Sequence, residues 1–105
     1  MTVYDDETLD ELLKGKLKII QKKKGYRFSV DSILLAHFVR LEKGDKVIDL
    51  GTGSGVLAII LASRFEESSI TGLEIQEELS DMARRSAVLN SLDHRVGIVD
   101  GDARR

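Results

Sequence analysis

The sequence predicts an α/β fold: the first half of a doubly wound parallel sheet, strand order 3-2-1, preceded by a short helix and a β-hairpin. Two observations carry the prediction. From residue 46 onward, apolar strand-like runs (KVIDL, SITGLEI, RVGIVDGDA) alternate with longer segments whose apolar residues recur at helical spacing. The first of these runs opens into a glycine-rich turn, LGTGSG, that leads straight into a helical pattern. Composition agrees, since 42% hydrophobic and 32% charged residues describe a globular chain rather than a disordered one. A length of 105 residues fits one domain or a piece of a larger one.

Each element has its own signal. Residues 6–14 place Leu9, Leu12 and Leu13 on one helical face, with acids early and Gly15 just past the end, which predicts a short amphipathic helix. KLKII, residues 16–20, alternates charged and apolar positions. With YRF beyond the KKKG turn, it predicts a small hairpin. Ser29 stands at an N-cap position, Asp31 in the first turn, and Ile33, Leu34, Leu35, Phe38 and Val39 behind them; residues 30–41 are expected to be helical. KVIDL is apolar on both faces apart from Asp49, the pattern of a buried central strand in a parallel sheet. Helices over 55–65 and 76–91 flank the strand at 69–75, and a third strand runs into the turn at GDA. Residues 1–29 thus form an N-terminal helix and basic hairpin, and residues 30–105 the α/β unit.

Several function classes are excluded at this stage. There is no cysteine, hence no disulfide framework and no thiolate metal site. No apolar run approaches the roughly 18 residues a membrane helix needs, and MTVYDDETLDELL is too acidic for a signal peptide. Cytoplasmic residence is the expectation. His37 and His94 lack partners at useful spacing, and no metal-ligand or Ser-His-Asp arrangement is present. The net charge of −2 conceals a basic cluster: Lys14, Lys16, Lys18, Lys22, Lys23, Lys24 and Arg27. Such a cluster suits phosphate contact, with Lys22, Lys23, Lys24 and Arg27 the candidate RNA contacts. It equally suits a charge-protected hairpin edge.

The glycine turn faces the crevice at the carboxyl ends of the strands, where ligands of such folds bind. Gly51, Gly53 and Gly55 remove side chains where a ligand must approach backbone, while Thr52 and Ser54 offer hydroxyls. A dinucleotide site uses G-x-G-x-x-G; here the third glycine comes one residue too early and Asp49 precedes the first by two. A carboxylate at that lip repels a pyrophosphate and suits a cation. S-adenosylmethionine carries an amine and a sulfonium and no phosphate. Glu74, 23 residues after Gly51, ends the second strand, where an acid accepts from both ribose hydroxyls. Asp102 follows the third strand, placed to accept from an adenine amine. The candidate cofactor contacts are therefore Asp49, Gly51, Thr52, Gly53, Gly55, Glu74, Ile75, Asp102 and Ala103.

VIDLGTGSG, GLEIQ and GDAR resemble the first three motifs of class I S-adenosylmethionine-dependent methyltransferases. LLKGKLKIIQKKKGYRFSVDSILLAHF resembles the N-terminal signature of the small methyltransferase group, within it the bacterial tRNA(Val) N6-adenine methyltransferases. The resemblance runs from about residue 9 to the end and implies a Rossmann-like methyltransferase fold. It implies cofactor contact by Gly51, Gly53, Gly55, Glu74 and Asp102, with Phe28, Ser29 and Asp31 beside the site. For Ser29 and Asp31, helix capping remains an equal reading.

Relatives of this kind carry an Asn/Asp-Pro-Pro-aromatic motif at the end of the fourth strand. There the Asn side chain and a proline carbonyl accept the N–H bonds of the adenine amine, and the aromatic stacks on the extruded base. This sequence contains no proline, so that motif is absent and no catalytic residue is assigned. The expectation is the cofactor-binding part of a tRNA N6-adenine methyltransferase, inactive by itself. Its first strand would have an open edge that favours self-association. The alternatives are a different acceptor (a protein glutamine, another RNA base, a small molecule) or a non-catalytic cofactor-binding module.

Overall fold

The computed structural model describes residues 3–24 and 30–101, excluding the side chains of Val30 and Asp31. In chain order the elements are β1 (Glu7–Leu12), β2 (Leu17–Lys22), α1 (Val30–Phe38), β3 (Lys46–Leu50), α2 (Val56–Arg64), β4 (Ser69–Glu74), α3 (Glu77–Leu89) and β5 (Val96–Asp100). β3, β4 and β5 form a parallel sheet with β4 in the middle, which is the expected 3-2-1 order. β1 and β2 make a separate antiparallel hairpin.

The N-terminus departs from expectation. Residues 7–12 are a strand, not a helix, and β2 pairs with β1 in the register Leu9↔Ile20. The KKKG–YRF hairpin expected for β2 has its second half outside the described residues. The observed turn places Leu13 and Lys14 at φ 52° and 56°, closed by a bond from Gly15 N–H to the Leu12 carbonyl. Gly15 follows at φ 84°, so the four-residue loop between the paired Leu12 and Leu17 holds three consecutive left-handed positions. Gly15 is the residue type that suits such a position, whereas leucine and lysine give no notice of theirs.

The main core lies on one face of the sheet. Val56, Ala58, Ile59, Ile60, Leu61 and Ala62 of α2 are buried with Ile70 and Val96, and Val47 and Ile98 pack at its margin. α2 is apolar almost all round because it is sandwiched between sheet, α1 and α3. Two arginines close helix ends. Arg95 donates to the carbonyls of Ala62, Phe65 and Ser68, and Arg64 to those of Ala36 and Val39. Both satisfy C-terminal carbonyls and place a cation at the negative end of a helix.

The opposite sheet face is bare. Ile48 is 69% exposed, Leu50 63% and Val99 48%, and among the described residues no element covers them. β3 is correspondingly an edge strand that alternates in burial, so the expectation of a strand buried on both faces does not hold for this chain.

The hairpin docks on α3 through apolar and polar contacts: Ile20 is buried with Leu79 and Met82, while Leu17 and Ile19 join the main core. The Ile20 N–H donates to Ser86 Oγ at 2.9 Å, and Asn90 bonds both the N–H and the carbonyl of Lys18. Glu7 forms a two-pronged pair with Arg85 at 2.7 and 2.6 Å. Tyr4 stacks on that guanidinium at 4.2 Å and Asp81 bonds it from the side. Both partners are buried, and the guanidinium holds the Glu7 carboxyl below its ordinary value.

Candidate cofactor site

The site sits at the carboxyl ends of β3 and β4. Gly51, Gly53 and Gly55 have φ of 67°, 59° and 86°, so the alternation of glycines reflects three left-handed residues that coil the loop back on itself. A Cβ on Gly51 would meet nothing within 4 Å, which leaves open space over the outer turn of the loop. Gly55 faces inward, where a Cβ would sit 3.0 Å from Ala83 Cβ, and so it lets α2 approach α3.

Two carboxylates hold this loop. Glu74 is 5% exposed; its Oε1 accepts the Gly53 N–H at 2.8 Å and its Oε2 the Gln76 N–H at 2.9 Å. A carboxylate offers about four lone-pair positions, so Glu74 keeps acceptor capacity on both oxygens. Asp49 accepts the Thr52 hydroxyl at 2.7 Å. Burial pushes the Asp49 carboxyl up, the Thr52 hydroxyl opposes that, and the charge of Glu74 adds to the rise. Both acids would therefore be relieved by a cation. Ile75, next in sequence, is 60% exposed and offers an apolar surface.

Two residues missed from the sequence belong to this site. Gly72 lies opposite Asp49 in the register, and a Cβ there would sit 2.7–2.8 Å from Thr52 Oγ1, Cβ and Cγ2. A glycine inside a strand pattern signals such a close approach, and SITGLEI carried that signal. Gln21 on β2 donates its amide to Ser54 Oγ at 3.1 Å. Gln21 lies in the LKIIQKKKGYRFS stretch that carries the family resemblance, but its partner Ser54 is 33 residues away and nothing local announces the bond.

The remaining expected contacts are less connected. Asp102 and Ala103 lie outside the described residues, as do Phe28, Ser29, Arg27 and the side chain of Asp31. Asp100 ends β5 opposite Glu74 and is tied to α3 by Ser80 Oγ and Arg84, which hold its carboxyl below the usual range. Lys22 is paired with Asp6 and, at 3.5 Å, with Glu78, whereas Lys23 and Lys24 are exposed. His37 and His94 are exposed, and no group of three or more metal-ligating side chains exists among the described residues. Among them, no helix is long and apolar enough to cross a membrane.

Residues 20–105 match the model of the family described as Protein-L-isoaspartate(D-aspartate) O-methyltransferase (PCMT). The chain belongs to the S-adenosylmethionine-dependent methyltransferases. Among curated relatives, the tRNA1(Val) (adenine(37)-N6)-methyltransferase of Glaesserella parasuis is 32% identical over 76 residues, 72% of this chain and 32% of that one. The release factor glutamine methyltransferase of Chlorobaculum tepidum is 31% identical over 97 residues, 75% of this chain and 33% of that one. The crystal structure of a methyltransferase from Geobacter sulfurreducens in complex with S-adenosyl-L-homocysteine superposes with a TM-score of 0.63. It is 29% identical and covers 72% of this chain and 30% of that one. The methyltransferase chain thus spans about a third of the length of these relatives. Structural neighbours of this chain are S-adenosylmethionine-dependent methyltransferases, some with S-adenosyl-L-homocysteine bound. The methyltransferase site suits S-adenosylmethionine chemically: two desolvated carboxylates, open backbone over Gly51 and an exposed apolar neighbour face a cationic, hydroxyl-bearing ligand.

Proposed function

We propose that the chain is the S-adenosylmethionine-holding part of a methyltransferase acting on adenine N6 of tRNA. The observation that carries the cofactor half is Glu74, which organises the glycine loop through Gly53 while retaining acceptor capacity at the strand end. Residues 30–105 hold the cofactor and residues 1–29 contribute a basic hairpin toward the acceptor.

When bound, the cofactor supplies an electrophilic methyl group on a sulfonium. Asp49 compensates positive charge at the loop, and Glu74 accepts from ribose hydroxyls. Gly51 and Gly53 admit the ligand against backbone, with Thr52 bracing the loop and Ile75 offering an apolar surface; Asp102 and Ala103 are the sequence's candidates for the adenine. The tRNA part rests on the tRNA methyltransferase relatives and on exposed Lys23 and Lys24, with Arg27 beyond them. Lys22 contributes less, because Asp6 already neutralises it. The sequence holds no proline and so no Asn-Pro-Pro-aromatic motif to activate an adenine amine. The chain holds the donor and does not deliver the methyl group by itself.

Calorimetric titration tests the cofactor reading. S-adenosylhomocysteine should bind the chain, Glu74→Ala should abolish that binding, and NADH should not compete. Affinity for S-adenosylmethionine should fall as pH drops through the raised Asp49 pKa, because protonation removes the charge that faces the ammonium. Tight NADH binding, or full affinity in Glu74→Ala, would sink the reading. For the acceptor, unmodified tRNA should bind with a steep salt dependence that Lys23→Glu/Lys24→Glu weakens. No tRNA binding at low salt would remove the tRNA half alone.

A further inference from the structure

A loop of three left-handed glycines is entropically expensive to hold, so its restraints determine how ready it is for a ligand. Two of its side-chain restraints come from Glu74 and Asp49, the acids that must also face the cofactor. A third comes from a different quarter. Gln21 Nε2 donates to Ser54 Oγ at 3.1 Å, and both residues are 0% exposed. Gln21 lies on β2, whose position is fixed independently of the loop by Ser86, Asn90 and the buried Glu7–Arg85 pair, all on α3 or reaching it.

We propose that Gln21 is a positioning residue of the cofactor site: a buried strut from the N-terminal hairpin that holds Ser54, and with it the glycine loop, in its ligand-ready shape. The proposal rests on the cofactor reading above only for its consequence in binding. The strut makes the hairpin part of the site rather than an appendage. It restrains the loop through Ser54, whereas the acids hold Thr52 and Gly53, and it leaves the acids' acceptor positions to the ligand. Gln21 also directly precedes the Lys22–Lys24 run, so an anion docked on those lysines acts on the residue next to the strut.

The test uses the full chain in three variants: Gln21→Met, Ser54→Ala and the double substitution. Ser54→Ala removes a single hydroxyl and so carries the test where Gln21→Met fails to fold. Hydrogen exchange at the Gly53, Ser54 and Gly55 amides, normalised to α3 amides, should accelerate about tenfold in each single variant, the effect of one buried hydrogen bond. The double variant should be no faster, because both substitutions remove the same bond. Loop exchange equal to wild type after normalisation overturns the strut, whatever the cofactor result. S-adenosylhomocysteine should bind Gln21→Met about tenfold more weakly than wild type. Unchanged affinity with a loosened loop overturns the claim that the strut serves the ligand. A wild-type chain that binds no S-adenosylhomocysteine defeats the preceding cofactor reading, and the exchange rates then decide the strut alone.

Discussion

Gly72→Ala is the substitution for which the structure gives the most definite steric expectation. The added Cβ would lie 2.7 Å from Thr52 Oγ1 and 2.8 Å from both Thr52 Cβ and Cγ2, all well inside contact distance. Thr52 cannot swing away. Its N–H donates to the Leu73 carbonyl at 3.0 Å, its hydroxyl to Asp49 at 2.7 Å, and its carbonyl accepts the Gly55 N–H at 2.9 Å. Overpacking at a site this constrained costs about 1–3 kcal/mol. Alanine returns about 0.4–1 kcal/mol by restricting the unfolded chain. The steric term wins, leaving a net loss of about 1–2 kcal/mol and a melting temperature lower by roughly 5–10 °C for a chain of this size. Thermal unfolding followed by circular dichroism reads the loss, and S-adenosylhomocysteine affinity should fall with it as Thr52 is displaced. Thr52→Ala leaves the offending Cβ in place, so only Thr52→Gly should recover stability in combination with Gly72→Ala. A Gly72→Ala chain as stable as wild type would refute the packing argument.

Other substitutions test the hairpin and the sheet edge. Glu7→Gln takes the two-pronged carboxylate from the buried Arg85 guanidinium, which Asp81 still bonds, and should cost about 3 kcal/mol in urea unfolding at pH 7. The Glu7 carboxyl is held below its ordinary value of 4.5. Its stabilisation is therefore full above that value and disappears as pH falls through the lower folded-state value. The gap between wild type and Glu7→Gln should close across that acid window, and a gap independent of pH would contradict the pairing. The open edge of β3, flanked by Ile48 and Leu50, predicts self-association by antiparallel β3–β3 pairing. Sedimentation at tens of micromolar should show species above the monomer and Ile48→Lys should reduce them; a well-dispersed wild-type monomer would rule the pairing out.

The α/β unit was legible because its signals are local. KVIDL, SITGLEI and RVGIVDG carry strand patterns of their own, and the glycine alternation at 51–55 reports three left-handed residues wherever it occurs. The N-terminus was not legible because its stability is not local. Leu9, Leu12 and Leu13 have helical spacing, yet Leu9 is 44% exposed in β1 while Glu7 is buried. What buries Glu7 is Arg85, 78 residues away in the sequence, and no periodicity in residues 6–14 encodes that partner. The bare sheet face fails for a related reason. A strand apolar on both sides states what it prefers to bury, not whether a second layer is present to bury it. Gly72 is the intermediate case: the strand glycine was a readable signal, but its reason, the Thr52 side chain, emerges only once β3 and β4 are in register.

The way the loop is held has a consequence for binding. Glu74 and Asp49 are engaged with the Gly53 N–H and the Thr52 hydroxyl, and Gln21 donates to Ser54. These bonds within the chain hold the three glycines in their left-handed shape, so part of their ordering cost is met in folding rather than in binding. Burial raises the Asp49 carboxyl, with Glu74 nearby adding to it, and a cationic ligand relieves that unfavourable charge. S-adenosylmethionine should therefore bind more tightly, and stabilise the fold more, at high pH, where Asp49 is fully ionised. The advantage should shrink as pH falls and Asp49 takes up its proton. On the proposed reading, Asp49, whose charge burial disfavours, is the acid expected to favour a sulfonium-bearing methyl donor over a pyrophosphate.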